Sequence, residues 1–156
     1  MNIVLIGMNH KTAPLEIRER LAFSCGEGLD PLREILKGPQ VMEALYLATC
    51  NRVEVLANTL EVNEAVDSVK GFILSQGNLA PGEMEKCLYV HCGSDAVRHL
   101  FRVASSLDSM VMGEPQILGQ VKDAYRQCVA SKASGVILNR LLHQAFRVAK
   151  RVRSET

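Results

Sequence analysis

The amino-acid sequence predicts an α+β fold, in which a split βαβ arrangement with a mostly antiparallel sheet is followed by a helical extension. Two observations carry this prediction. Short runs rich in Val, Ile and Leu, typical of buried strands, occur before residue 93 and are separated by helical patterns. After Gly93, apolar residues recur at the spacing of helices alone. A chain of 156 residues is long enough for one domain and too short for two ordinary ones.

The first part of the chain begins with a strand and two helices. Residues 2–8 form a short apolar run that ends at polar residues, which predicts a buried strand. Pro14 fits the first turn of a helix, so we expect a helix from Pro14 through Leu21. A second short helix is expected over residues 31–37, because a Gly-Pro pair follows it.

Two strands, a helix and a last strand are predicted next. Residues 41–48 and 53–57 are apolar, and the polar residues 49–52 between them predict a hairpin or sharp bend. Residues 62–73 have helical spacing, and residues 87–92 are short and β-like. The resulting order of strand, helices, strand, strand, helix and strand is that of a ferredoxin-like sandwich.

The helical part is expected over residues 93–156, after a ferredoxin-like part over residues 1–92. Three apolar stripes are separated near Gly113 and at Ser134-Gly135. The third helical pattern is still running at the last residues. We therefore expect that the chain is cut from a larger protein.

Composition excludes several classes of protein. The chain has 18 Lys and Arg against 17 Asp and Glu, so its whole surface is not that of a nucleic-acid binder. No apolar run approaches the ~20 residues that span a bilayer, and no basic region precedes the apolar N-terminus, so neither a membrane protein nor a signal peptide is expected. Five scattered cysteines favour a reducing compartment, and we expect a cytoplasmic protein.

Cys50 and His99 are the candidate catalytic residues. Arg52 lies two residues after Cys50 in a polar turn, and a nearby guanidinium favours the nucleophilic thiolate. His99 lies on an apolar helical stripe, where a partly buried imidazole can exchange protons near pH 7. The alternatives are a structural cysteine at a strand end and a core histidine bonded to a backbone carbonyl.

Other motifs bear on metals, nucleotides and nucleic acids. We expect no metal site, because Cys87 and Cys92, predicted on opposite faces of one strand, match no zinc spacing with His91. No Gly-rich nucleotide fingerprint occurs. The basic residues near the C-terminus indicate a solvated helix face or, alternatively, a contact with RNA phosphates. These basic residues are Arg140, Arg147, Lys150, Arg151 and Arg153.

Three blocks of sequence together resemble the N-terminal catalytic domain of the glutamyl-tRNA reductases, and the resemblance covers essentially the whole chain. The blocks are Gly7-Met8-Asn9-His10-Lys11-Thr12-Ala13-Pro14, then Ala48-Thr49-Cys50-Asn51-Arg52-Val53-Glu54, and then the stretch from His99 to Lys122. One departure is Ser106, where the family pattern has glycine. We expect only a local backbone adjustment there.

The resemblance implies the first step of tetrapyrrole synthesis, which supplies porphyrins and haem. Cys50 matches the nucleophile that attacks the ester of glutamyl-tRNA, and hydride from NADPH then releases glutamate-1-semialdehyde from the thioester. The family's NADPH-binding and dimerisation domains follow this region and are absent from the chain, so we expect no cofactor-binding residues here. The expected partners are glutamyl-tRNA, a second copy of the full-length protein and a downstream aminomutase. Without the missing domains, we expect at most an esterase.

The resemblance also assigns site residues. His99 matches a position needed for activity and is expected to pass a proton to the leaving ribose hydroxyl. Arg52 suits a carboxylate of glutamate, and Glu114 is assigned to the α-ammonium group from charge alone. The expected substrate-binding residues are Thr49, Cys50, Asn51, Arg52, Ser109, Glu114, Pro115, Gln116 and Gln120.

Two other functions stay open at this point. One is a non-catalytic ferredoxin-like module that binds an amino acid, in which Cys50 is structural. The other is a stand-alone thiol hydrolase that cleaves esters. A glutamyl adduct on Cys50 would separate the reductase from the binding module.

Overall fold

A computed structural model describes residues 2–24, 30–38, 40–49, 51–107 and 116–155. Four strands and seven helices lie in these ranges. In chain order they are β1 (Asn2–Asn9), α1 (Leu15–Ser24), α2 (Pro31–Leu36), β2 (Val41–Ala48), β3 (Arg52–Thr59), α3 (Val62–Gly77), α4 (Pro81–Cys87), β4 (Tyr89–Cys92), α5 (Ser94–Ala104), α6 (Gln116–Ala130) and α7 (Val136–Glu155).

The strands form one sheet in the order β2-β3-β1-β4, and every neighbouring pair is antiparallel. The predicted α+β class and antiparallel sheet are therefore confirmed. Because β1 and β2 both run antiparallel to β3, they run parallel to each other with β3 between them. Every residue of β3 is buried, so both faces of the sheet are covered. Helices α1 and α3 form one group against the sheet, and α5, α6 and α7 form another.

The last strand is shorter than predicted. Cys87 ends helix α4, and β4 begins only at Tyr89, so Cys87 and Cys92 do not lie on opposite faces of one strand. The sequence pattern did not indicate α4, because this helix has seven residues and no apolar stripe. Proline fits its first position, as it does in other helices.

Glu43 in β2 holds the start of helix α7. Its Oε1 accepts hydrogen bonds from the backbone N–H groups of Gly135 and Leu138, the latter at 3.0 Å. Its Oε2 accepts from Asn58 Nδ2 at 2.7 Å. The carboxylate is buried, and it faces the positive end of the helix dipole. The sheet and the C-terminal helix are thereby joined through one side chain that sequence spacing did not reveal.

Replacing Glu43 with alanine is expected to lower the free energy of unfolding by about 3 kcal/mol, because two buried donors and the part-buried Gly135 N–H lose a charged acceptor. Urea unfolding followed by circular dichroism measures this change. The matched control is Glu85→Ala, which removes an exposed carboxylate 3.5 Å from Lys70 and should cost less than about 0.5 kcal/mol. Equal stabilities for the two variants would contradict the capping role.

None of the helices in the described parts of the chain is both long and apolar enough to cross a membrane.

Candidate active site

The turn between β2 and β3 is fixed by the Thr49 side chain. The Thr49 N–H donates to the Arg52 carbonyl oxygen at 2.8 Å, which closes the hairpin. Thr49 Oγ1 accepts from the N–H groups of Asn51 and Arg52 at 3.1 and 3.2 Å. Thr49 is buried, so its hydroxyl orders the turn from inside. The predicted tight connection between the two strands is confirmed.

Four of the predicted site residues lie outside the described residues. They are Cys50, Ser109, Glu114 and Pro115. In the sequence, Cys50 stands between Thr49 and Asn51, the two residues that the hydrogen bonds of the turn join.

The loop after β1 lies beside this turn. Asn9, the last residue of β1, pairs with Arg52 in the sheet register. Asn9 Oδ1 accepts from the Lys11 N–H at 2.9 Å, and the Asn9 N–H donates to Thr12 Oγ1 at 2.9 Å. These bonds turn the chain sharply after β1. Because Asn9 pairs with Arg52, residues of the first and second sequence blocks lie at the same end of the sheet.

Arg52 and Glu54 form a fully buried ion pair in β3. The two residues are two positions apart in one strand, and their side chains therefore point to the same face. Arg52 Nη1 lies 3.3 Å from Glu54 Oε1, and the exposed fraction of the Arg52 side chain is 0%. The structure thus gives the Arg52 guanidinium an internal carboxylate partner. Its expected contact with the substrate carboxylate stays a prediction.

Glu54 is the centre of the cluster. Its Oε2 accepts a hydrogen bond from the Tyr89 hydroxyl at 2.7 Å and also contacts His99 Nε2. Burial alone would raise the pKa of Glu54. The hydrogen bond and charge of His99, the charge of Arg52 and the Tyr89 hydrogen bond together hold that pKa below its ordinary value of 4.5. Glu54 is therefore ionised at neutral pH.

Gly7 leaves room for the Glu54 side chain to extend over β1 towards Tyr89 and His99. Gly7 in β1 pairs with Glu54 on one side and with Tyr89 in β4 on the other. A Cβ atom on residue 7 would lie 2.7 Å from Glu54 Cγ and 2.6 Å from the Val53 carbonyl oxygen. A side chain at this position would therefore displace Glu54 from Tyr89 and His99.

The contact with Glu54 assigns the tautomer of His99. An ionised carboxylate only accepts hydrogen bonds, so we assign the shared proton to His99 Nε2. Nδ1 is then the nitrogen that exchanges a proton with a reactant. His91 stacks on the His99 ring at a centroid distance of 4.7 Å, and the Tyr89 ring lies 5.3 Å away. The carboxylate contact differs from the alternative of a core histidine bonded to a carbonyl.

The remaining predicted residues lie on α6. Gln120 lines a shallow pocket of about 320 Å³ together with Tyr46 and Ala48 at the end of β2, immediately before the turn. Gln116 is the exposed first residue of α6. The structure thus unites Arg52 and His99 through Glu54, with Thr49 and Asn51 in the adjoining turn, and it places Gln120 near the same end of β2.

Three residues of the cluster were missed as functional residues by the sequence reasoning. They are Glu54, Tyr89 and His91. Glu54 could have been identified from the sequence, because Arg52 and Glu54 are two charged residues at strand spacing in an otherwise apolar run. Tyr89 and His91 could not have been identified in this way, since only the pairing of β4 with β1 brings them close to His99.

The two buried cysteines of the described chain are poor nucleophiles. Burial raises the pKa of Cys128 to about 11, and its Sγ donates to the Ala44 carbonyl oxygen at 3.0 Å. Burial and the charge of Glu83 raise the pKa of Cys87. Both therefore stay protonated at neutral pH. Cys92 is exposed and lies on β4.

Ser106, which departs from the family pattern, has a backbone φ of 65°. This is the left-handed region that glycine enters without steric cost. Glycine, the residue that the resemblance implies here, would adopt this conformation without strain.

The fold and site define an α+β domain in which a buried histidine–carboxylate cluster adjoins a cysteine-bearing turn, a combination suited to nucleophilic catalysis. The family model described as "Glutamyl-tRNAGlu reductase, N-terminal domain" matches residues 6–156. The chain therefore belongs to the glutamyl-tRNA reductase family, as its N-terminal domain. The resemblance found in the sequence is confirmed.

Individual relatives agree with this assignment. The chain is 57% identical to the glutamyl-tRNA reductase of Syntrophus aciditrophicus and 51% identical to that of Citrifermentans bemidjiense, each over 100% of the chain. It spans 37% and 36% of the lengths of these relatives. The solved structure of glutamyl-tRNA reductase from Methanopyrus kandleri superposes with a TM-score of 0.80 at 32% identity, covering 99% of this chain and 35% of that one.

Proposed function

We propose that this chain is the part of a glutamyl-tRNA reductase that receives glutamyl-tRNA and forms a thioester on Cys50. The complete enzyme would be NADPH-dependent and would release glutamate-1-semialdehyde for porphyrin and haem synthesis. The observation that carries the proposal is the contact between Glu54, on the strand that follows the Cys50 turn, and His99 on helix α5, in a member of this family.

The proposed acylation proceeds by addition and elimination. The Cys50 thiolate attacks the ester carbonyl carbon, an S–C bond forms, and the C–O bond to the ribose breaks. His99 Nδ1 first accepts the proton of the Cys50 thiol and then supplies it to the leaving ribose oxygen, while Nε2 keeps its proton on Glu54. A positive charge that develops on the imidazole is stabilised by the ionised Glu54 carboxylate.

Selection of glutamate is proposed for the residues around the turn. Arg52 is proposed to bind the side-chain carboxylate by charge, next to the Glu54 carboxylate that pairs with its Nη1. Thr49 and Asn51 would orient the aminoacyl group. Ser109, Glu114, Pro115, Gln116 and Gln120 would complete the substrate contacts, with Glu114 on the α-ammonium group.

The residues described do not fit a dinucleotide. The sheet is antiparallel, and no Gly-rich turn joins a strand to a helix in the sequence. The N-terminal ends of α2, α3 and α7 are bound by the carboxylates of Asp30, Glu61 and Glu43, which would repel a pyrophosphate. NADPH is therefore proposed to bind outside the described residues.

Several finer assignments belong to the same proposal. Residues 1–92 would be a ferredoxin-like part, which the strand order β2-β3-β1-β4 supports, and residues 93–156 a helical part. The full-length enzyme would be a cytoplasmic homodimer that passes its product to the downstream aminomutase.

The test is mass spectrometry of the chain after incubation with glutamyl-tRNA. We expect a glutamyl adduct on the peptide that contains Cys50, and we expect hydroxylamine to remove it as it removes a thioester. Uncharged tRNA is the control. No adduct at any residue would contradict the proposal and favour a non-catalytic amino-acid-binding module. A thiol hydrolase would form the same adduct. The reductase is distinguished from it by the formation of glutamate-1-semialdehyde when the full-length protein is given NADPH.

A further inference from the structure

A groove of about 930 Å³ between helices α6 and α7 is lined by positive charge. The groove cations are Lys122 from α6 and Arg147, Lys150 and Arg153 from α7. No acidic residue of the described chain lines the groove. Because the whole chain has a net charge of only +1, this groove is a local concentration of positive charge.

The groove cations also lack carboxylate partners. Elsewhere on the surface, Lys37 pairs with Glu34 at 2.9 Å, and Arg98 lies 3.8 Å from Asp95. None of the groove cations forms an ion pair with a described residue. Their charge is therefore not neutralised within the described structure, and it is available to an anionic ligand.

The groove-lining residues of α7 are arranged along a line. His143, Arg147 and Lys150 are spaced four and three residues apart, so they share one face of α7. From His143 to Arg153 the helix rises about 15 Å. Along one strand of double-stranded DNA a phosphate occurs roughly every 3.4 Å of helix axis, so a nucleic-acid strand places several phosphates along a groove of this length.

Aromatic contacts fix the walls of the groove. Lys122 Nζ lies 5.8 Å from the centroid of the Phe146 ring. The Tyr125 ring meets the His143 ring edge-on at 5.6 Å, and the Tyr125 hydroxyl donates to Asn139 at 2.7 Å. These contacts join α6 to α7, the two helices that form the walls of the groove.

We infer that the α6–α7 groove binds the phosphate backbone of the tRNA that carries the glutamyl group. This inference rests on the proposed function. A strand of phosphates matches the Lys and Arg side chains of the groove by charge. Phe146 and the buried Leu118 are the only large apolar residues that line the groove among those described.

The test compares two double variants of equal charge loss. Arg147→Gln/Lys150→Gln removes two groove cations, and Lys37→Gln/Lys70→Gln removes two ion-paired cations from other faces. Affinity for a glutamate-specific tRNA transcript is measured by fluorescence anisotropy at several salt concentrations. We expect the groove variant to bind roughly tenfold more weakly, with a salt dependence reduced by about two charges. The control should bind as the unmodified chain does, and both variants should keep the unmodified melting temperature.

A short substrate distinguishes this inference from the proposed function. Glutamate esterified to the trinucleotide CCA lacks the phosphates that would reach the groove, so the groove variant should form the Cys50 adduct from it at the unmodified rate. Unchanged tRNA affinity and salt dependence in the groove variant would overturn the inference. That result would favour an acidic protein as the partner that binds the groove. Normal tRNA binding without any Cys50 adduct would instead refute the proposed function alone.

Discussion

Replacing Cys50 with serine is expected to abolish the release of glutamate from glutamyl-tRNA by this chain, a loss of at least about 10³-fold. A serine hydroxyl has no anionic population comparable to a thiolate at neutral pH, so the covalent step is lost while the turn stays intact. We expect the unmodified chain to release glutamate slowly, because a thioester that is not reduced is open to hydrolysis by water. The measurement is free glutamate from labelled glutamyl-tRNA.

Two controls sharpen this experiment. Cys92→Ser replaces an exposed thiol on β4, away from the Cys50 turn, and should leave glutamate release unchanged. Addition of NADPH should neither change the rate nor produce semialdehyde, because the described residues do not fit a dinucleotide. Release that persists in Cys50→Ser would refute covalent catalysis, and aldehyde formation by this chain would refute the division of labour between domains.

The sheet and its turn could be predicted because their signals are local. The apolar runs of β1, β2 and β3 and the polar residues of the hairpin lie close together in the sequence, and each has a distinct pattern. Helix α4 could not be predicted in this way, since it has only seven residues and no apolar stripe.

The contacts of the candidate site could not be predicted from the sequence, because they depend on the register in which the strands pair. Glu54 meets Tyr89 and His99, which are 35 and 45 residues away, only because β1 lies between β3 and β4 with Gly7 in the shared row. His99 and Cys50 were identified through chemistry and family resemblance. Their connection through Glu54 required the pairing of the strands.

His99 and Glu54 are expected to act as one unit in the acylation of Cys50. Replacing His99 with asparagine removes the proton donor, and we expect the acylation rate to fall by roughly 10²-fold with little change in tRNA affinity. Replacing Glu54 with glutamine removes the charge that orients His99 Nε2, and we expect a loss of similar size. Single-turnover acylation at several pH values measures both effects.

The double variant separates a joint role from two independent ones. If Glu54 acts through His99, the two losses should not multiply, and the double variant should acylate about as slowly as His99→Asn alone. The control is Glu43→Gln, which replaces another buried carboxylate that binds Asn58 and the start of α7 rather than His99. It should lose stability and keep the acylation rate. An unchanged rate in His99→Asn would make that residue structural.

Acid denaturation gives an independent measure of the same pair. Because the pKa of Glu54 is held below its ordinary value of 4.5, its ionised form stabilises the folded chain above that pH, and this contribution is lost as the pH falls through the lowered pKa. The difference in unfolding free energy between the unmodified chain and Glu54→Gln should therefore be largest near neutral pH and should shrink in acid. A difference that stays constant down to the lowest pH would show that Glu54 is held by packing rather than by the charges of Arg52 and His99.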